Sequence, residues 1–205
     1  MAPQRFLQLI YRMPSKPTAG RVAVWRSLKK AGAVYLQDSA CVLPDTEELR
    51  TELASVLARI DESDGSYHML PLGELPAEEE AKLVQLFVDQ TAKHYTEIVE
   101  NCEVNFVKEI EFENFRENYT YEEAEEIRED LEKIRRWFDR VVERDWFNAG
   151  QRKAVAAELQ ECERLLEAFE EEVYRRAGED EAAFPAQAAK AAHAAKAAPQ
   201  AGTKA

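Results

Sequence analysis

Phe6-Leu7-Gln8-Leu9-Ile10-Tyr11 is a short apolar run of residues that favour extended backbone; Met13-Pro14 stops it, so it reads as a buried strand. Ser15-Lys16-Pro17-Thr18 then supplies turn and helix-start chemistry. From Thr18 to Ala31 the period is helical. At about 100° per residue, Val24, Trp25, Leu28 and Ala31 share one arc, and Arg26, Lys29 and Lys30 share the opposite one. The result is an amphipathic helix with a basic outer face. Gly32 is a natural helix stop, after which Ala33-Val34-Tyr35-Leu36 and Ala40-Cys41-Val42-Leu43 flank Gln37-Asp38-Ser39 as a hairpin. Pro44-Asp45 ends the hairpin. Leu49, Leu53, Val56, Leu57 and Ile60 then recur at helical spacing until Asp64-Gly65, and Tyr67 to Leu72 forms a last strand.

The order β-α-β-β-α-β over residues 1–75 predicts an α+β module of the ferredoxin-like split βαβ kind, an antiparallel sheet covered on one face by two helices. After Pro76 the period changes. Val84, Val88, Thr91, Tyr95, Ile98 and Cys102 make one heptad-like seam. Ala124, Ile127, Leu131, Ile134, Phe138 and Val141 make a second, and Val155, Leu159, Cys162, Leu166, Phe169 and Val173 a third. Thr120-x-x-Glu123 reads as a capping box opening the second helix, and Asn148 as an N-cap for the third. Residues 103–119 fit either a helix extension or a short strand. Stripes of this kind bury best against one another, which predicts an antiparallel helical bundle over residues 76–177. Residues 178–205 drift into Ala, Lys, Gln and Pro without an apolar stripe and read as a disordered or transiently helical tail.

The 205 residues carry 45% hydrophobic and 33% charged side chains, a composition of folded rather than wholly disordered chains, while only 7 Gly and 8 Pro argue against an all-β architecture. No apolar stretch approaches membrane-spanning length and no signal-peptide pattern opens the chain, so the expected location is the cytoplasm. The net charge of −13 is unevenly spread. Residues 1–37 hold seven Arg and Lys and no acid, whereas residues 76–176 carry the acidic excess. Such asymmetry points to a polyanion-facing surface on an otherwise anion-repelling molecule.

The residues select no reaction. Phosphate-binding glycine loops, nucleophile elbows and metal-ligand spacings are missing, so the reading is a non-enzyme with no metal and no cofactor. Cys41, Cys102 and Cys162 lie far apart in sequence and read as small buried apolar side chains. The small CRISPR-associated endoribonucleases place a metal-binding aspartate just after the first strand of such a sheet; here Tyr11-Arg12-Met13-Pro14 offers a cation instead. What remains is the basic helix. Arg26, Lys29 and Lys30 project together, and Arg12 and Lys16 precede them in the strand-to-helix loop, where they could join one phosphate-engaging patch. The plainer reading is a solvated polar face whose last-turn cations favour the helix dipole.

Leu9 to Pro17, Arg21 to Gln37 and Cys41-Val42-Leu43-Pro44 together resemble the N-terminal domain of the ChrB chromate-resistance family. Tyr121 to Glu126, Leu131 to Phe138, Arg144-Asp145-Trp146-Phe147 and Leu165 to Phe169 with Val173-Tyr174 resemble later blocks of that domain. The resemblance implies a DNA-binding, chromate-responsive regulator of an efflux operon, with duplex DNA as partner, and the expected state is a homodimer. Arg21, Arg26, Lys29 and Lys30 match its basic stretch; with Arg12 and Lys16 they are the candidate nucleic-acid-binding residues. The first 75 residues are also similar to the middle domain of phenylacetate-pathway repressors, a likeness of fold alone. Longer ChrB proteins carry a further C-terminal domain where this chain passes into its Ala/Lys tail. The alternative function is a non-catalytic protein-interaction module in which the basic helix is only solvent coating.

Overall fold

The computed structural model describes the backbone of residues 6–196 and the side chains of residues 6–178; Arg5 of the basic start lies outside them. The chain divides into two compact units, Met1–Ile98 with Trp137–Val155, and Val99–Arg136 with Ala156–Ala205. Among the described residues no helix is long and apolar enough to cross a membrane.

The first unit opens with β1 (Phe6–Arg12), α1 (Thr18–Lys30), β2 (Val34–Gln37), β3 (Ala40–Pro44), α2 (Glu47–Glu62) and β4 (Ser66–Leu72). The strands form a mixed α+β unit's four-stranded sheet in the order β2-β3-β1-β4, antiparallel at every pairing. Strand alternation sends Leu7, Leu9 and Tyr11 to one face, where Val24 and Leu28 of α1 and Leu49, Leu53, Val56 and Ile60 of α2 close over them. Phe6 and Val42 point the other way. They are covered by Phe87 and Phe147, with Trp146 edge-on to Phe87. That aromatic packing carries the first unit past the expected boundary at residue 75.

Local chemistry sets the element ends. The Leu49 N–H donates to Thr46 Oγ1 at 3.2 Å, capping α2, whose first turn carries Glu47 and Glu48. At its far end Asp64 adopts φ +54° and the Gly65 N–H returns to the Ile60 carbonyl at 2.9 Å. A side chain at Gly65 would meet the Arg12 carbonyl at 2.7 Å, so this turn is close-packed against the end of β1.

α3 (Ala77–Asn101) leads into a π-helical turn, Cys102–Phe106, and then α4 (Val107–Arg116), so the ambiguous residues continue as helix as far as Arg116, where Glu117 turns left-handed and ends it. α5 (Tyr121–Glu143) and α6 (Arg152–Lys196) follow. The seam of α3 differs from expectation in its first turns: Phe87 is buried and Val88 only partly, because Phe87 belongs to the aromatic group on the sheet. In the second unit Arg128 pairs with Glu170 and Arg135 with Glu163, a descending register that sets α5 and α6 antiparallel, with Ile127, Leu131, Ile134, Leu159, Leu166 and Phe169 buried. The capping box is half made. The Glu123 N–H donates to Thr120 Oγ1 at 3.2 Å, but the Glu123 carboxylate accepts from Asn118 Nδ2 instead of reaching back. Asn148 takes a left-handed φ of +56° four residues before α6 opens at Arg152, so it forms a turn rather than an N-cap. α6 runs on through the Ala-rich stretch expected to be a tail, as alanine's helix propensity allows; residues 197–205 lie outside the described residues. All three cysteines are free and buried.

His94 of α3 is partly buried, with Nδ1 3.4 Å from Glu97 Oε2. Burial, and next the Arg144 charge, hold its pKa below the usual imidazole value, with Glu97 opposing and Lys29 adding to the effect. A folded-state pKa below the unfolded one means that stability present above about pH 6.5 is lost as the pH falls through the lower value. Thermal unfolding between about pH 7.5 and 5 is expected to show that loss, and His94→Gln to flatten it.

Candidate nucleic-acid interface

Arg12 is the last residue of β1, paired opposite Ser66 of β4. The Tyr11 N–H donates to the Ser39 carbonyl at 2.9 Å, which ties the β2–β3 turn beside the end of β1. The hydroxyls of Tyr11 and Tyr35 hydrogen-bond at 3.0 Å on the same side. α1 then presents Arg21 and Trp25, one helical turn apart and therefore on one face, toward that turn. Tyr11, Arg12, Arg21, Trp25, Asp38 and Ser39 border a groove of about 520 Å³.

Arg12, Lys16, Arg21, Arg26 and Lys30 are all exposed. Among the described residues, none of the five lies within ion-pairing distance of a carboxylate. They are not one cluster. Arg12 and Arg21 converge on the groove, while Lys16 and Arg26 do not border it. Lys30 borders a different groove, of about 450 Å³, together with Glu48, Glu52 and Glu143, where a polyanion would meet carboxylates as well as the cation.

Lys29 departs from the expected outward face. Its Nζ donates to Gln90 Oε1 at 3.2 Å and sits 5.1 Å from the centroid of the Tyr35 ring; burial lowers its pKa. It is a packing cation. Trp25 departs in the opposite sense, being 48% exposed although its arc was expected to face the core. The buried arc is narrower and centres on Val24 and Leu28; Trp25, about 100° round from Val24, falls outside it. The Arg21–Trp25–Lys29 row at i, i+4 spacing is the signal in the sequence that marks this edge.

Arg144 also goes unmarked by sequence patterning. Its Nη1 donates to the carbonyls of Lys29 at 3.2 Å and Lys30 at 2.8 Å, and its Nε to the Arg140 carbonyl at 2.8 Å. A guanidinium there satisfies orphan carbonyls at the C-terminus of α1 and opposes the negative end of its dipole, which holds the basic helix in place.

The family model described as Protein ChrB, N-terminal, matches residues 21–180. Protein ChrB of Cupriavidus metallidurans is 30% identical over 95 residues, which cover 46% of this chain and 29% of the relative. The chain thus aligns with less than a third of that relative's length. The family match begins at Arg21 inside the basic helix and runs through the hairpin, α2 and the helices that follow, well over half of the chain, so this protein belongs to the family of the ChrB N-terminal domain.

Proposed function

We propose that this chain is a DNA-binding transcriptional regulator, or an accessory to one, in bacterial chromate resistance, working in the cytoplasm as a homodimer on the promoter of a chromate-resistance operon. It acts by binding and not by catalysis. The observation that carries the reading is the set of five exposed cations without an ion pair among the described residues, on the β1–α1 segment of a chain whose net charge is −13. The strand order β2-β3-β1-β4 with β-α-β-β-α-β connectivity supports the ferredoxin-like split βαβ description of the module that presents them.

The test is fluorescence anisotropy with a labelled duplex of the neighbouring promoter across a salt series. Affinity is expected to fall linearly on logarithmic axes as salt rises, and Arg21→Glu with Arg26→Glu to weaken it by about 100-fold or more. Lys108→Glu, on α4, serves as the control and is expected to change little. Binding that ignores both salt and the double reversal removes this reading.

A second reading, a protein-interaction module, draws on a different surface. Val104, Phe112 and Phe115 are 63%, 52% and 86% exposed around a groove of about 800 Å³ in the second unit. Co-purification of a partner that is lost with Phe112→Ser and Phe115→Ser, and indifferent to the Arg reversals, favours that module.

A further inference from the structure

The groove at the end of β1 combines groups that a solvated helix face has no need of. Trp25 exposes half of its surface, a large apolar ring left in water. Arg21, one turn before it, and Arg12, from β1, stand beside the same hollow without a carboxylate partner. The β2–β3 turn, pinned by the Tyr11-to-Ser39 backbone bond, borders the same hollow through Asp38, an exposed carboxylate residue, and Ser39. At about 520 Å³ the hollow lies within the size range of small-ligand sites.

A ligand suited to these walls needs an anionic group for two guanidinium forks, a flat π-face for the indole, and a hydrogen-bond donor for a carboxylate. A nucleotide offers all three on one scaffold. A base stacked inside an intact duplex cannot offer its face to Trp25, whereas an unstacked one can.

We propose that this groove binds one unstacked nucleotide, its base stacked on Trp25, its phosphate held between Arg12 and Arg21, and its exocyclic amine donating to Asp38. The site rests on the nucleic-acid reading of the same surface and adds a second mode to it. Duplex contacts spread over the outer cations, while the groove takes a single-stranded, frayed or flipped-out residue. Asp38 then makes the site prefer bases with an exocyclic amine, so cytosine, adenine or guanine binds ahead of thymine.

The experiment uses the full chain and anisotropy of labelled deoxycytidine and thymidine decamers, beside a labelled duplex. The deoxycytidine decamer is expected to bind more tightly than the thymidine decamer. Trp25→Ala is expected to weaken the decamer by about 10-fold while leaving the duplex nearly unchanged, and Trp25→Phe to retain most of the affinity. Asp38→Asn is expected to erase the preference for cytosine. Competition by unlabelled deoxycytidine monophosphate distinguishes a free nucleotide from a residue within a strand: displacement at micromolar concentration assigns the site to the former, displacement only by oligonucleotides to the latter. Duplex binding with no decamer binding overturns the groove and leaves the duplex reading standing; decamer binding lost in Trp25→Ala with no duplex binding does the reverse. A decamer affinity that Trp25→Ala leaves untouched overturns the groove outright.

Discussion

Replacing Gly32 by alanine is expected to destabilise the protein by about 2–3 kcal/mol, read as a lower urea midpoint at unchanged m-value. Gly32 sits at φ +84°, where a side chain is strained whatever space it finds. It also has no space. A Cβ at this position would lie 2.7 Å from Cη2 of Trp146, 3.0 Å from Cζ3 and 3.2 Å from Cδ of Arg144. Trp146 cannot retreat freely, because it packs edge-on against Phe87 with ring centroids 5.9 Å apart. Arg144 is committed to the carbonyls that end α1. The two causes separate in a double-mutant cycle. In a Trp146→Ala background the collision with the indole disappears and the backbone strain remains with the milder approach to Cδ of Arg144, so Gly32→Ala should cost less there, about 1–2 kcal/mol. Equal costs in both backgrounds would show that α1 does not end against Trp146 in solution.

Two neighbours on β1 should respond very differently to the same truncation. Leu9→Ala is expected to lose about 3–5 kcal/mol and Ile10→Ala less than about 1 kcal/mol, measured by equilibrium unfolding. Leu9 is fully buried under both helices, in a strand hydrogen-bonded on its two sides, so the surroundings collapse poorly into the space left behind. Ile10 faces the other way and is 39% exposed, so much of its surface is already in water. A comparable loss from both would mean that the second face of the sheet is covered in solution beyond the Phe6–Phe87 packing.

The Phe6–Tyr11 run, the helical period after Thr18, the turn residues at Gly32 and Asp64-Gly65 and the three seams specify most element types and ends. These are local matters: a period, a cap or a positive φ is written into a few consecutive residues. The basic character of this segment is local in the same way, and five of the six candidate cations, Arg12, Lys16, Arg21, Arg26 and Lys30, are exposed and without an ion pair among the described residues. It does not place Lys29, because an inward turn toward Tyr35 and Gln90 depends on α3 arriving from some sixty residues away in the chain.

Trp25 shows the boundary most clearly. Its side chain is apolar, so patterning assigns it to the core, and only the width of the arc that two helices actually cover on the sheet leaves it in solvent beside Arg12 and Arg21. Arg144 is likewise an ordinary charged residue in a connector until the C-terminus of α1 stands next to it. Periodicity and turn chemistry act between neighbours in the chain, so they were readable residue by residue. The groove, the cap and the inward lysine arise where segments distant in sequence meet, and the side chains that meet there depend on the packing of the whole unit.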